Sequence, residues 1–210
     1  MALSVTVLFV ILLHGYNTLA SDPDSLQDFC LANTDSRTNS PCKNSSLATV
    51  EDFIFSGIKS SGKFGETGLA SIPVNPNVFP GLNTLGMSIV RADLEVGGVN
   101  VPHYHPRATE IAVVLEGQVY SGFVDTQNRV FARVIEKGEV MVFPKGLVHF
   151  QMNVGDKPAT ILGSFNSQNP GLFRIPTAVF GCGIKGELLE KAFGLSGKDI
   201  SKLRKKLHLC

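Results

Sequence analysis

The stretch Gly97 to Gly117, GGVNVPHYHPRATEIAVVLEG, decides the fold of this chain, and Gly138 to Asn153, GEVMVFPKGLVHFQMN, answers it. Successive side chains on a strand alternate faces, so His103 and His105 point one way and Tyr104 the other. The Pro106-Arg107-Ala108 break lets the chain reverse, and the β-rich run TEIAVVLEG then starts a new strand with Glu110 near its beginning. The second stretch adds His149. We read these four residues as the protein ligands of one metal ion. A lone His-x-His is a weak signal, because two satisfied or exposed histidines explain it as well. The chain, however, has five histidines. His14 falls in an apolar leader and His208 in a basic tail, so the other three all lie inside these two stretches.

Three neutral imidazoles and one carboxylate leave a divalent ion with net positive charge and, if it prefers six ligands, with open positions for a reactant. A closed structural zinc site is more often tetrahedral and rich in cysteine, and neither stretch contains a cysteine. The mixed nitrogen and oxygen set suits manganese or iron, while affinity order alone favours zinc or copper, so the ligands leave the metal open.

The spacing Gly-x5-His-x-His-x4-Glu-x6-Gly, followed by Gly-x5-Pro-x-Gly-x2-His-x3-Asn, resembles the paired motifs of the cupins. SDPDSLQDFC (Ser21 to Cys30), FPGLNTLGMS (Phe79 to Ser88) and SFNSQNPG (Ser164 to Gly171) narrow the resemblance to the plant germin and germin-like proteins. It covers nearly all of the chain beyond the leader. The resemblance implies manganese as cofactor, a hexamer built as a trimer of dimers, and superoxide dismutase activity in the cell wall.

Working outward, six runs alternate or concentrate Val, Ile and Phe: 111–115, 119–124, 130–135, 140–143, 148–154 and 160–165. Turn signals at Asp125 to Asn128, Lys137-Gly138 and Gly155-Asp156 separate them. That rhythm predicts an all-β fold, a single-domain β-barrel of the jelly-roll type that the cupin resemblance also implies. Further strand character is expected over Leu82 to Leu94, and apolar and polar residues alternate from Val50 through Phe53 and Phe55. Alternation from Glu110 sends Ala112 and Val114 inward, which predicts a small apolar lining near the ion, fit for small ligands only.

Residues 1–20 read as a signal peptide, with SVTVLFVILL at its heart and the small-residue ending Thr18-Leu19-Ala20. The apolar run from Ser4 to Leu13 is about half of the roughly twenty residues that a spanning helix needs. Residues 21–62 form an N-terminal extension. Cys30 and Cys42 flank a polar loop with little apolar material to hold it, and in a secreted protein a disulfide is the expected state, worth about 3 kcal/mol in the chain-entropy model. A similar bridge is implied by the germin resemblance. Cys182 and Cys210 either pair or stay free. Asn44-Ser45-Ser46 is an N-glycosylation acceptor in the same polar region.

Residues 63–175 are assigned to the barrel and 176–210 to a C-terminal pair of α-helices. Leu188, Leu189, Ala192 and Phe193 share a helical face that Gly194 ends, and Ser196 with Asp199 forms a capping box for the next helix. Ile200, Leu203 and Leu207 make its apolar stripe, and these apolar faces are expected to need a neighbouring subunit. Lys202, Arg204, Lys205 and Lys206 read as a solvated face, or as a contact for acidic cell-wall polysaccharide.

The formal net charge of +1 gives no reason to expect nucleic acid as a partner. Two function classes remain. As an enzyme, the protein is expected from the germin resemblance to be a secreted manganese superoxide dismutase acting on a small anion in the apoplast. Oxalate oxidase is the rival within the family. The resemblance to oxalate-oxidising germins assigns their two active-site asparagines to Val90 and Asn100, and valine cannot hydrogen-bond a carboxylate, which disfavours oxalate. Asn100 remains as a substrate contact or as a residue that shapes the turn before Val101. As a binder, the protein resembles germin-like proteins described as auxin-binding or receptor-like; others are credited with nucleotide-sugar phosphodiesterase activity.

Overall fold

The computed structural model describes residues 27–33, 42–181 and 183–207. The expected leader, both outlying histidines, Cys182 and Cys210 lie outside them. Among the described residues the strands are β1 Leu69–Val74, β2 Ser88–Leu94, β3 Val99–Tyr104, β4 Glu110–Glu116, β5 Gln118–Val124, β6 Val130–Glu136, β7 Val140–Phe143, β8 His149–Asn153, β9 Ala159–Phe165 and β10 Phe173–Arg174. They form two five-stranded antiparallel sheets, ordered β1-β2-β9-β4-β7 and β10-β3-β8-β5-β6. The all-β jelly-roll barrel is therefore present, and β4 to β9 coincide with the six runs read from the sequence.

Period-two patterning explains the core. Strand β9 alternates buried and half-buried residues throughout its length. Its inward Ala159 and Ile161 meet Leu94, Val114, Val119, Ile135 and Phe143 from both sheets. Each large side chain so buried contributes about 1.5–3 kcal/mol, which fixes register because a one-residue slip would expose the whole set. Gly117 joins β4 to β5 at φ 86°, and a Cβ there would lie 2.7 Å from that of Ala159. Only glycine has both the conformation and the room.

Two expectations about the N-terminal half need correction, and one strand there was not foreseen. Val50–Phe53 is a 3-10 turn, not the start of an alternating strand, because Thr49 and Asp52 form a capping box around it. Within Leu82 to Leu94 only Ser88–Leu94 is a strand; Pro80–Leu82 is a 3-10 turn. Strand β1 went unread because Pro73 interrupts it, and its edge position tolerates the missing amide. The Cys30–Cys42 disulfide is formed, with Ala32 bridged to Cys42. Leu31 beside it is 1% exposed. Arg91 ties the extension to β2 by donating to the carbonyls of Ile58 and Lys59 while pairing with Asp93 at 2.8 Å. Asn44 is exposed, and its side chain accepts from the Ser46 backbone amide at 3.1 Å, opening a 3-10 turn.

The C-terminal segment has three helices where the pattern gave two: α1 Ile175–Phe180, α2 Gly186–Phe193 and α3 Gly197–Lys206. The short α1 opens with Pro176 in its first turn, a position where the missing amide costs nothing. Gly194 adopts the left-handed conformation that closes α2, and the Ser196 and Asp199 capping box opens α3. The apolar faces are partly covered within the chain: Leu189 and Ile200 are buried, whereas Leu188 and Phe193 stay exposed. Arg204 is not part of a free basic face. Its guanidinium donates to the carbonyls of Phe180, Gly181 and Ile184, tying α3 to the loop between α1 and α2.

Candidate metal centre

Register brings the four predicted residues together. Strand β3 carries His103 and ends just before His105, β8 opens with His149 directly opposite His103, and β4 opens with Glu110. One possible ligand atom from each lies within 4.8 Å of the others, and all four residues are buried. Phe143 stacks on the His149 ring at 4.5 Å, and Phe165 meets the edge of His105 at 4.6 Å, so packing sets the ring orientations.

Hydrogen bonds set the tautomers. His103 Nδ1 lies 2.8 Å from the Val101 carbonyl, His105 Nδ1 2.5 Å from that of Gly171, and His149 Nδ1 2.9 Å from that of Leu147. A carbonyl only accepts, so each Nδ1 carries the proton and each Nε2 presents a lone pair. His105 Nε2 and His149 Nε2 then each stand 3.2 Å from Glu110 Oε2. These contacts are close enough for ion pairs, yet lone pairs facing a carboxylate oxygen repel unless a cation lies between them. Glu110 Oε2 and His149 Nε2 are in fact buried without a hydrogen-bond partner. Orphaned acceptors that converge are what a metal ion satisfies, and the donor set fits a divalent ion.

Charge states agree. Burial, reinforced by the neighbouring His149 ring, drives the His103 imidazole down to about 3, so it is neutral and free to coordinate. Burial pushes the Glu110 carboxyl up, and proton donation from the His105 and His149 ring nitrogens that face it outweighs burial and holds the group down to about 2. Where those nitrogens instead present lone pairs, a cation in the protons' place keeps Glu110 a carboxylate.

The site opens into a cleft of about 660 Å³, lined on one wall by Leu69, Val90, Ala92 and Ile161 and on the other by Asn100, His103 and Gln151. Ala112 and Val114 turn inward as alternation predicts and pack in one apolar cluster with Phe143, whose ring stacks on His149. One expectation is corrected: the cleft has room for more than a diatomic ligand. Val90 and Asn100 both line it, and Asn100 Nδ2 donates to Gln151 Oε1 at 2.7 Å, so the predicted contact residue works as one half of an amide pair. Gln151 went unread, although it stands two residues beyond His149 on the same strand and hence on the same face. Gly163 also went unread: a Cβ there would sit 2.5 Å from Glu110 Oε1 and 2.8 Å from Val90 Cγ1, so glycine makes room for the carboxylate.

Comparisons with known proteins agree with this architecture. The cupin family matches residues 56–201. Germin-like protein subfamily 3 member 2 of Arabidopsis thaliana is 62% identical over 197 residues, covering 90% of this chain and 87% of its own. Germin-like protein 2-4 of Oryza sativa subsp. japonica is 54% identical over 195 residues, covering 88% and 85%. Among solved structures, an oxalate oxidase superposes with a TM-score of 0.83 at 39% identity, covering 89% of this chain and 98% of that one; it has also been solved with the substrate analogue glycolate. With its two barrel motifs and converging ligands in place, the chain belongs to the cupin family and, within it, to the germin-like proteins.

Proposed function

We propose that this chain is a secreted, manganese-dependent superoxide dismutase of the plant cell wall, with His103, His105, Glu110 and His149 holding the ion. The observation that carries the metal reading is the pair of orphaned acceptors, Glu110 Oε2 and His149 Nε2, facing each other across a buried site. Manganese, when bound, supplies one-electron chemistry, by which two superoxide ions and two protons become dioxygen and hydrogen peroxide. The residues of the chain do the rest. Three neutral imidazoles add no charge and Glu110 cancels one, so a divalent ion keeps a net positive charge in a low-dielectric barrel that draws in small anions. The apolar wall of Leu69, Val90 and Ile161 limits water, and the Asn100 and Gln151 amides offer the polar contacts opposite it.

Secretion accords with the apolar leader at 1–20, the Cys30–Cys42 bridge and the exposed acceptor Asn44, which we propose is glycosylated. Among the described residues no helix is long and apolar enough to cross a membrane. Exposed Leu188 and Phe193 support homo-oligomer contacts, a hexamer by family likeness, and exposed Lys202, Lys205 and Lys206 support contact with acidic polysaccharide.

Oxalate oxidation is the second reading, favoured by the likeness to oxalate oxidase. Val90 weighs against it, since a site built to hydrogen-bond its substrate loses several powers of ten when a partner is missing. Superoxide and oxalate assays on one purified sample, before and after chelation and manganese return, separate the readings. Superoxide consumption that follows the manganese, without peroxide release from oxalate, is expected. Metal-dependent peroxide from oxalate without dismutation would overturn the proposal, and specific ligand binding with neither activity would make the protein a binding cupin.

A further inference from the structure

The connection 75–87 between β1 and β2 gives the cleft Asn75, Asn77 and Asn83, and it is held from the N-terminal extension. The Ala32 amide donates to the Pro80 carbonyl at 3.1 Å, and Phe55 stacks on Phe79 at 5.7 Å. Gly81 packs so closely that a Cβ there would lie 2.5 Å from the Asp52 carbonyl oxygen. Thr84, at φ 66°, occupies the left-handed region that a β-branched residue avoids, and its amide donates to Gln168 Oε1 at 2.7 Å. Such strain persists only where the surroundings impose it.

The Cys30–Cys42 bridge pins the extension beside this contact. The Lys43 amide donates to the Leu31 carbonyl at 2.9 Å, and Asn83 Nδ2 donates to Cys30 Sγ at 3.3 Å. Asn83 therefore touches both the bridge and the cleft. The two cysteines differ in exposure: Cys30 is 3% exposed, whereas Cys42 is half-buried. Thiol attack accordingly falls on Cys42 with Cys30 as the leaving group, and the Asn83 N–H steadies the thiolate that leaves.

We propose that the Cys30–Cys42 bridge is a redox control on the cleft, with a small dithiol as the reductant. One thiolate of the dithiol bonds to Cys42 Sγ as the bridge breaks, and Cys30 leaves as a thiolate that takes up a proton. The second thiol then closes the reductant's own disulfide and frees Cys42 as a thiol, so two electrons pass from dithiol to bridge. With the bridge open, the turn 79–84 loosens and the metal centre becomes more accessible. Access is controlled in this way whatever reaction the centre performs.

Hydrogen exchange, followed by mass spectrometry on the metal-loaded full-length protein, compares the oxidised chain, the chain held in dithiothreitol and a Cys30→Ala/Cys42→Ala variant. The variant, free of dithiol, also gives the rate at which a chelator extracts the metal. Once the bridge is open, the amides of Leu82, Asn83 and Thr84 should exchange about tenfold or more faster, the scale of one lost hydrogen bond, while those of β4 and β9 keep their protection. Metal extraction should quicken by about the same factor. If the variant does not fold, the reduced native chain still reports the exchange. A bridge that stays closed in the folded chain at millimolar dithiothreitol would overturn the proposal. Unchanged exchange in the turn, exchange that rises equally in β4 and β9, or unchanged metal extraction from the folded variant would do the same. Lack of dismutation in every sample contradicts only the activity proposed above, since none of these readouts needs turnover.

Discussion

His149 and Asn153 stand at opposite ends of strand β8, each 1% exposed, yet the barrel treats their polar atoms in opposite ways. Asn153 Nδ2 reaches the carbonyls of Leu94, Glu95 and Lys157 at 3.1, 2.9 and 2.8 Å, and its Oδ1 accepts from the Gly155 amide at 3.0 Å. His149 has one ring nitrogen satisfied and the other left facing an equally unpartnered carboxylate oxygen. A buried polar group that finds all its partners in the chain is there for the fold; converging groups that find none await a ligand. Ser121 Oγ also lacks a partner, but it is a single neutral hydroxyl and is not one of the four converging residues.

The comparison can be broken most sharply from the metal end. His105→Ala or His149→Ala should weaken metal binding by more than about a hundredfold, since the loss of a mere supporting partner already costs about 10–100-fold. Elemental analysis should find only traces of metal while circular dichroism still reports a folded barrel. A fully metallated His149→Ala protein would remove the distinction between the two ends. At the other end, Asn153→Ala leaves the carbonyls of Leu94, Glu95 and Lys157 without their donor and should lower unfolding free energy by about 2–4 kcal/mol. Metal per folded chain should not change, and a metal loss equal to that of the histidine variants would show that the strand acts as one unit.

Two smaller effects sharpen the boundary. Gly163→Ala inserts a methyl against Glu110 and Val90 and should cost about 1–3 kcal/mol as overpacking, together with weaker metal binding as the carboxylate shifts. Retained metal affinity in a competition titration would mean that Glu110 moves without consequence. Ser196→Ala removes the hydroxyl that accepts from the Asp199 amide at the start of α3, and should cost about 1 kcal/mol in denaturant unfolding while leaving metal content alone.

Much of this was legible because it is local. Alternation fixed β4 to β9, two spaced motifs supplied all four converging residues, and Ser196 with Asp199 announced a helix start. The rest depends on neighbours distant in sequence. Strand β1 hides behind Pro73, which only an edge position excuses. Arg204 reads as one more basic residue until its carbonyl partners are brought from the loop after α1. The approach of Gly163 to Glu110 and the placing of Arg174 opposite His103 both follow from strand pairing, which no single stretch encodes. Ala112 and Val114 show the converse, since alternation alone gave their inward direction.

The central claim is that three Nε2 lone pairs and the Glu110 carboxylate hold one divalent ion. X-ray absorption at the metal edge of the purified native protein, with elemental analysis of the same sample, tests it most directly. The account predicts one ion per chain, with three imidazoles and a carboxylate oxygen in its coordination shell. A protein that binds no ion under metal-replete conditions, or an ion whose shell is unchanged in His149→Ala, would contradict it.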